Sequence, residues 1–132
     1  MTAIDEFAAR YLAVWNEPDA AVRDTAVARL WSADAQAYTA ADQYVGLDAI
    51  TRRVTAAYEK FVAGQGYAFR PLGSAGSHHD GVRIRWEMVP AAGGDAVSGG
   101  VQWVCVINVG PLSLAGRAAG EVVLVTTRRG KR

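Results

Sequence analysis

The chain has 132 residues, and 14 Lys and Arg against 13 Asp and Glu leave a formal charge of +1. That length suits one domain able to bury roughly two-thirds of the surface its unfolded form exposes. The charge balance excludes the basic excess with which nucleic-acid-binding domains neutralise phosphates, and the lone Cys105 excludes an internal disulfide or a zinc site built on cysteine pairs.

A single domain over 1–132 is therefore expected, with the basic end 128–132 as a flexible tail. No apolar run approaches the roughly 20 residues of a membrane span. Asp5, Glu6 and Arg10 interrupt the first apolar pattern, where a secretory leader needs a continuous stretch. A cytoplasmic protein that engages neither nucleic acid nor membrane is the expectation.

In residues 2–16 the apolar side chains Ile4, Phe7, Ala8, Tyr11, Leu12, Val14 and Trp15 recur at three- and four-residue steps, which predicts an amphipathic helix capped by Thr2. Pro18 breaks it, and Asp19 caps a second helix over 20–31 whose buried stripe includes Val22, Ala26, Val27, Leu30 and Trp31. Residues 32–44 have no helical period and read as a turn with a short strand or loop containing Tyr38. Asp48 then caps a third helix over 49–63, with the stripe Ile50, Val54, Ala57, Tyr58 and Phe61. Gly64 and Gly66 stop it.

Beyond Gly66 the pattern changes to strand-like runs separated by glycine-rich turns. Residues 67–72 form one run and 79–89 another. In the second, Val82, Ile84, Trp86 and Met88 alternate with Arg83, Arg85 and Glu87, which predicts one buried and one outward face. A turn over 91–95 leads into a third run, 97–109, so these two should form a hairpin. Residues 110–120 read as a loop, 121–127 as a last strand, and Gly93-Gly94 and Gly99-Gly100 as turns or bulges. Helices first and strands afterwards predict an α+β domain, three helices laid on one face of a mostly antiparallel sheet.

Several segments also resemble a known family. Tyr11-Leu12-Ala13-Val14-Trp15-Asn16 with Pro18-Asp19, Leu30-Trp31-Ser32-Ala33-Asp34-Ala35, Gly46-Leu47-Asp48-Ala49-Ile50 and the run from His78 to Glu87 are similar in order and spacing to the SnoaL-like group of the nuclear transport factor 2-like superfamily. The resemblance implies a strongly curved sheet wrapping the helices into a cone with an open pocket, and homodimers formed through the outer sheet face. It also implies enzymes acting on polyketide- or steroid-like substrates alongside members without catalysis. Two positions depart from the catalytic pattern. After the first short strand the chain reads Tyr38-Thr39-Ala40-Ala41, with no carboxylate before Asp42, and Gln102 stands where cyclase-like relatives carry an aspartate. An amide has no usable pKa, so Gln102 can orient a ligand but cannot serve as a general base.

His78 and His79 are the only histidines. Adjacent strand residues point to opposite faces, so at most one faces a pocket, and no metal or other cofactor is expected. Extending the alternation of Val82 to Met88 backwards puts His78 and Asp80 on the pocket face, whereas a bulge at Gly81 puts His79 there. Either imidazole, oriented by Asp80, is a candidate acid or base; a strand-start histidine half in solvent is the bland alternative. Trp15, Tyr38, Trp86 and Gln102 are the candidate ligand-binding residues, since pockets for apolar molecules combine aromatic walls with a few placed polar groups. The strand with Val101, Trp103, Cys105 and Ile107 on one face and Gln102, Val104 and Val106 on the other needs cover on both. A homodimer through the first set supplies it.

Three functions follow from this reading: binding of a small, mostly hydrophobic ligand; isomerase, cyclase or hydratase chemistry on a polyketide- or steroid-like ketone with a pocket histidine; and a dimeric interaction module. The empty acidic positions favour the first.

Overall fold

A computed structural model describes residues 3–39, 41–78, 81–107 and 121–130; for Ala3, His78, 105–107 and 121–130 it describes the main chain. Helix α1 (Ala3–Asn16) buries Phe7, Ala8, Tyr11, Leu12, Val14 and Trp15, the stripe its periodicity predicts. Helix α2 (Ala20–Leu30) begins at Asp19, whose Oδ1 accepts from the Val22 amide at 3.0 Å.

Val22 itself is 50% exposed, and Arg23 is the buried residue of that turn, at 3%. Arg23, Val27 and Leu30, three and four residues apart, define the true inner stripe. The Arg23 guanidinium is accommodated because Nη1 donates to the Glu17 carbonyl at 2.7 Å and the group lies 4.4 Å from the Tyr58 ring centroid.

Strand β1 (Trp31–Tyr38) begins where α2 ends, so Trp31 is buried as a strand residue rather than a helical one, and the seven residues after it, expected as part of a turn with a short strand or loop, complete an eight-residue strand. A three-residue strand β2 (Gln43–Val45) folds back on it antiparallel. Helix α3 (Leu47–Ala57) is led in by Gly46, at φ +88°, and Asp48 lies in its first turn rather than capping it. There its carboxylate still complements the helix dipole. The helix continues as a π-helical segment, Tyr58–Ala63.

The remaining strands are β3 (Tyr67–Pro71), β4 (Gly76–His78), β5 (Gly81–Pro90), β6 (Ser98–Ile107) and β7 (Glu121–Gly130). They form one sheet in the order β2-β1-β7-β6-β5-β3, with β4 pairing the start of β5. Only the β1–β7 pair is parallel among the described strands. The β5–β6 hairpin forms as predicted, Met88 opposite Ser98. Gly99 and Gly100, expected in a turn or bulge, sit inside β6 opposite Glu87 and Trp86, where a residue without a side chain leaves room beside the large indole. Strand β7 runs on through Arg128 and Arg129 to Gly130, opposite Val101, Gly100 and Gly99, so the expected tail 128–132 is sheet as far as residue 130.

Val82, Ile84, Trp86 and Met88 join the helix stripes and Val104 in one core. Arg83 and Arg85 face outward, but Glu87 on the same face is buried. Its Oε2 accepts from Arg70 Nε at 2.8 Å across the β3–β5 pair. The edge strand β3 is held to the helix layer by Asn16. Its Nδ2 donates to the Phe69 carbonyl at 2.6 Å while its Oδ1 accepts from the Phe69 amide at 2.8 Å. One side chain thus satisfies both main-chain groups of a residue that would otherwise present an open sheet edge.

Candidate functional site

Between α3 with its π-helical continuation and the inner face of the sheet lies a cavity of about 850 Å³, within the range of small-molecule pockets. Its depth is aromatic. Trp15 from α1, Phe69 from β3 and Trp86 from β5 meet edge to face, with centroids 6.4 Å apart for Trp15–Phe69 and 5.5 Å for Phe69–Trp86. Phe61 closes the set at 6.2 Å from Phe69. The void exists because the helical wall facing these rings is small, with Ala49, Ala56 and Ala57 turned toward it.

That same wall carries charge. Two rows at four-residue spacing, Ala49–Arg53–Ala57 and Arg52–Ala56–Lys60, line the cavity together. Arg53 is half-buried, its guanidinium carbon 5.2 Å from the Trp15 ring centroid and 5.0 Å from that of Tyr44. Aromatic faces on both sides fix a side chain that solvent would leave mobile. The opposite rim is a turn in which the Thr39 amide donates to the Asp42 carbonyl at 2.9 Å and Thr39 Oγ1 accepts from the Asp42 amide at 2.9 Å. This turn places Asp42 on the cavity mouth.

Behind Trp15, Tyr11 is fully buried, and that burial pushes its hydroxyl well above the ordinary phenol range despite the opposing pull of Arg53. It stays neutral and serves the core. The polar group that belongs to the cavity is Gln102. It shares the inner face of the sheet with Val104 and stands opposite Ile84. Its Oε1 is buried and has no hydrogen-bond partner among the described residues, and the same is true of Trp86 Nε1. An unpaired buried amide oxygen costs on the order of 1–3 kcal/mol, which a ligand donor would recover.

Of the residues singled out from sequence, Trp15, Trp86 and Gln102 converge on the cavity. Tyr38 does not. Ala35 and Ala37 take the inner face of β1, so Tyr38 lies on the other with Gln36, whose Oε1 accepts from its hydroxyl. Tyr44, opposite Ala37, supplies the aromatic ring of that rim instead.

His78 ends β4, paired with Gly81 at the start of β5, so the alternation of β5 does not extend back through it. Its side chain, and His79 and Asp80, lie outside the described residues. Arg52, Arg53, Lys60, Phe69 and Asp42 were not legible as site residues. The signal that existed was the spacing of small and cationic residues on one side of α3.

No protein-family model and no curated protein sequence matches the chain. Solved structures do. A candidate isomerase of the SnoaL-like family from Agrobacterium tumefaciens is 26% identical with a TM-score of 0.80, over 98% of this chain and 99% of that one. A candidate polyketide cyclase from Sinorhizobium meliloti is 15% identical at a TM-score of 0.62, over 90% of each chain. A nuclear transport factor 2-like protein of unknown function from Exiguobacterium is 16% identical at 0.64, over 93% of this chain and 97% of that one. With the helix layer, the sheet order and this end-to-end similarity in place, the chain has the fold of the nuclear transport factor 2-like proteins and is similar along its whole length to a SnoaL-like protein.

Proposed function

We propose that this protein binds a small ligand of mostly carbon skeleton in the cavity between α3 and the sheet. The observation that carries the reading is Gln102: an amide with its oxygen buried and unpartnered, among aromatic walls, at the edge of a space large enough for a small molecule. Apolar walls supply affinity in proportion to the surface they dehydrate, while a buried amide penalises any ligand that leaves it unpaired.

Gln102→Leu should therefore change which members of a panel of aromatic and polyketide-like ketones raise the melting temperature, with a smaller effect on the protein alone. Identical ligand profiles for the two proteins would remove Gln102 from the site.

The second reading is isomerase or cyclase chemistry on such a ketone, favoured by the candidate isomerase and cyclase among the structural neighbours. On that reading His78 or His79, oriented by Asp80, moves the proton. The same panel assayed for turnover separates the two: melting shifts without turnover support binding, and turnover abolished by His78→Asn or His79→Asn supports the enzyme.

The assembly we propose is a homodimer through the outer sheet face. Trp103 is 48% exposed and Val101 half-buried on that face, while the side chains of Cys105 and Ile107, expected beside them, lie outside the described residues. A monomer in sedimentation at micromolar concentration would overturn it.

A further inference from the structure

Resting on the cavity as a ligand site, we infer that its occupant is an amphiphile with a carboxylate at the α3 rim, a flat apolar body along Trp15, Phe69 and Trp86, and a hydrogen-bond donor at the far end for Gln102 Oε1. Three cations, Arg52, Arg53 and Lys60, share the cavity lining with one described carboxylate, Asp42, in a chain whose overall charge is only +1.

A solvated helix face would explain Arg52 and Lys60 by themselves. It does not explain Arg53, which is half-buried and held between the rings of Trp15 and Tyr44 at the boundary between the aromatic depth and the open mouth. A guanidinium held there keeps its positive charge at one place on the cavity wall, and a carboxylate is the ligand group that complements such a charge. Arg52 and Lys60 have no ion pair among the described residues, and the four-residue spacing places them on the same wall. They add attraction at the mouth without a built acidic partner. The polarity of the site then runs in one direction: cationic donors outside, apolar rings between, and an unpaired acceptor inside. A neutral hydrocarbon would use only the middle.

The test uses three probes titrated calorimetrically at low salt: a hydroxynaphthoic acid with hydroxyl and carboxyl at opposite ends of the ring system, its methyl ester, and naphthoic acid without the hydroxyl. The acid should bind about tenfold more tightly than the ester, a preference that falls as salt screens it. Arg52→Gln with Lys60→Gln, both exposed and outside the core, should weaken the acid by about threefold and leave the ester within about twofold. Removing the hydroxyl should weaken binding to the native protein and make no difference to Gln102→Leu.

Acid and ester binding equally would overturn the anionic end while leaving the ligand site standing. A hydroxyl effect that persists in Gln102→Leu would overturn the orientation. If none of the three probes binds, the ligand-site reading falls and this inference falls with it.

Discussion

The two walls of the cavity are built on opposite principles. The sheet wall, Trp86 and Gln102 on β5 and β6, is a continuation of the hydrophobic core: Val82, Ile84, Met88 and Val104 on the same face are buried, and the cavity begins where that packing stops. The helical wall is made of what the core leaves over. On α3, Ile50 and Val54 take the buried stripe, and the residues flanking it, small or cationic, face the void. A site can thus draw its shape from strongly patterned residues and its charge from residues the pattern assigns to solvent.

The sharpest way to break this comparison is at Trp86, which belongs to both core and cavity. It is buried, packs 5.5 Å from Phe69 and faces Gly100 across the strand pair. Trp86→Ala should cost about 3–5 kcal/mol in denaturant melts, as large-to-small changes in packed cores do. A loss below about 1 kcal/mol would mean that the sheet wall is lining alone and the core ends behind it.

The same contrast explains what was legible beforehand. A strand offers two faces, so the alternation in 82–88 assigned each side chain to its face, although Glu87 on the outer face is buried beside Arg70. A helix offers a continuous range of directions, and a shift of one position rotates a side chain by about 100°. That is enough to exchange Val22 for Arg23 on α2, since the apolar residue had the better claim by type and the arginine the better claim by direction. Burying Arg23 became possible only through the Glu17 carbonyl and the Tyr58 ring, one local and one 35 positions away in the chain. The distant partner is tertiary information.

Arg53 is illegible in the sequence for a related reason: its position depends on Trp15 from α1 and Tyr44 from β2 closing on it, and no window of sequence contains all three. Tyr38 failed at the level of parity. Tyr38 is an even position of β1, whereas the buried Trp31, Ala35 and Ala37 are odd ones. The resemblance to SnoaL-like proteins, by contrast, was carried by segments spread along the first two-thirds of the chain, and an overall fold is robust to one misplaced ring.

The smallest effect expected lies on α1, behind Trp15, at Tyr11. Its hydroxyl is buried beside the aromatic cluster, with ring centroids 5.2 Å away for Trp31 and 6.3 Å for Trp15. Because burial raises its folded-state pKa above that of the unfolded chain, the two states bind the same proton below about pH 10 and Tyr11 contributes no pH dependence there. Above that pH the unfolded chain releases the proton while the folded chain retains it, so stability falls as pH rises, by about 1.4 kcal/mol for each further unit until the folded group itself ionises. Tyr11→Phe should consequently track the native protein in thermal melts near pH 7, with at most about a 1 kcal/mol offset from the lost hydroxyl, and then resist alkaline unfolding better. The difference between the two curves isolates this one group from the other residues that titrate at high pH. Parallel curves up to pH 11 would mean that the Tyr11 hydroxyl ionises in the folded state as it does in solvent. In that case Arg53, the cation nearest to it in effect, outweighs the burial, and the helical wall is the more polar of the two through to the core.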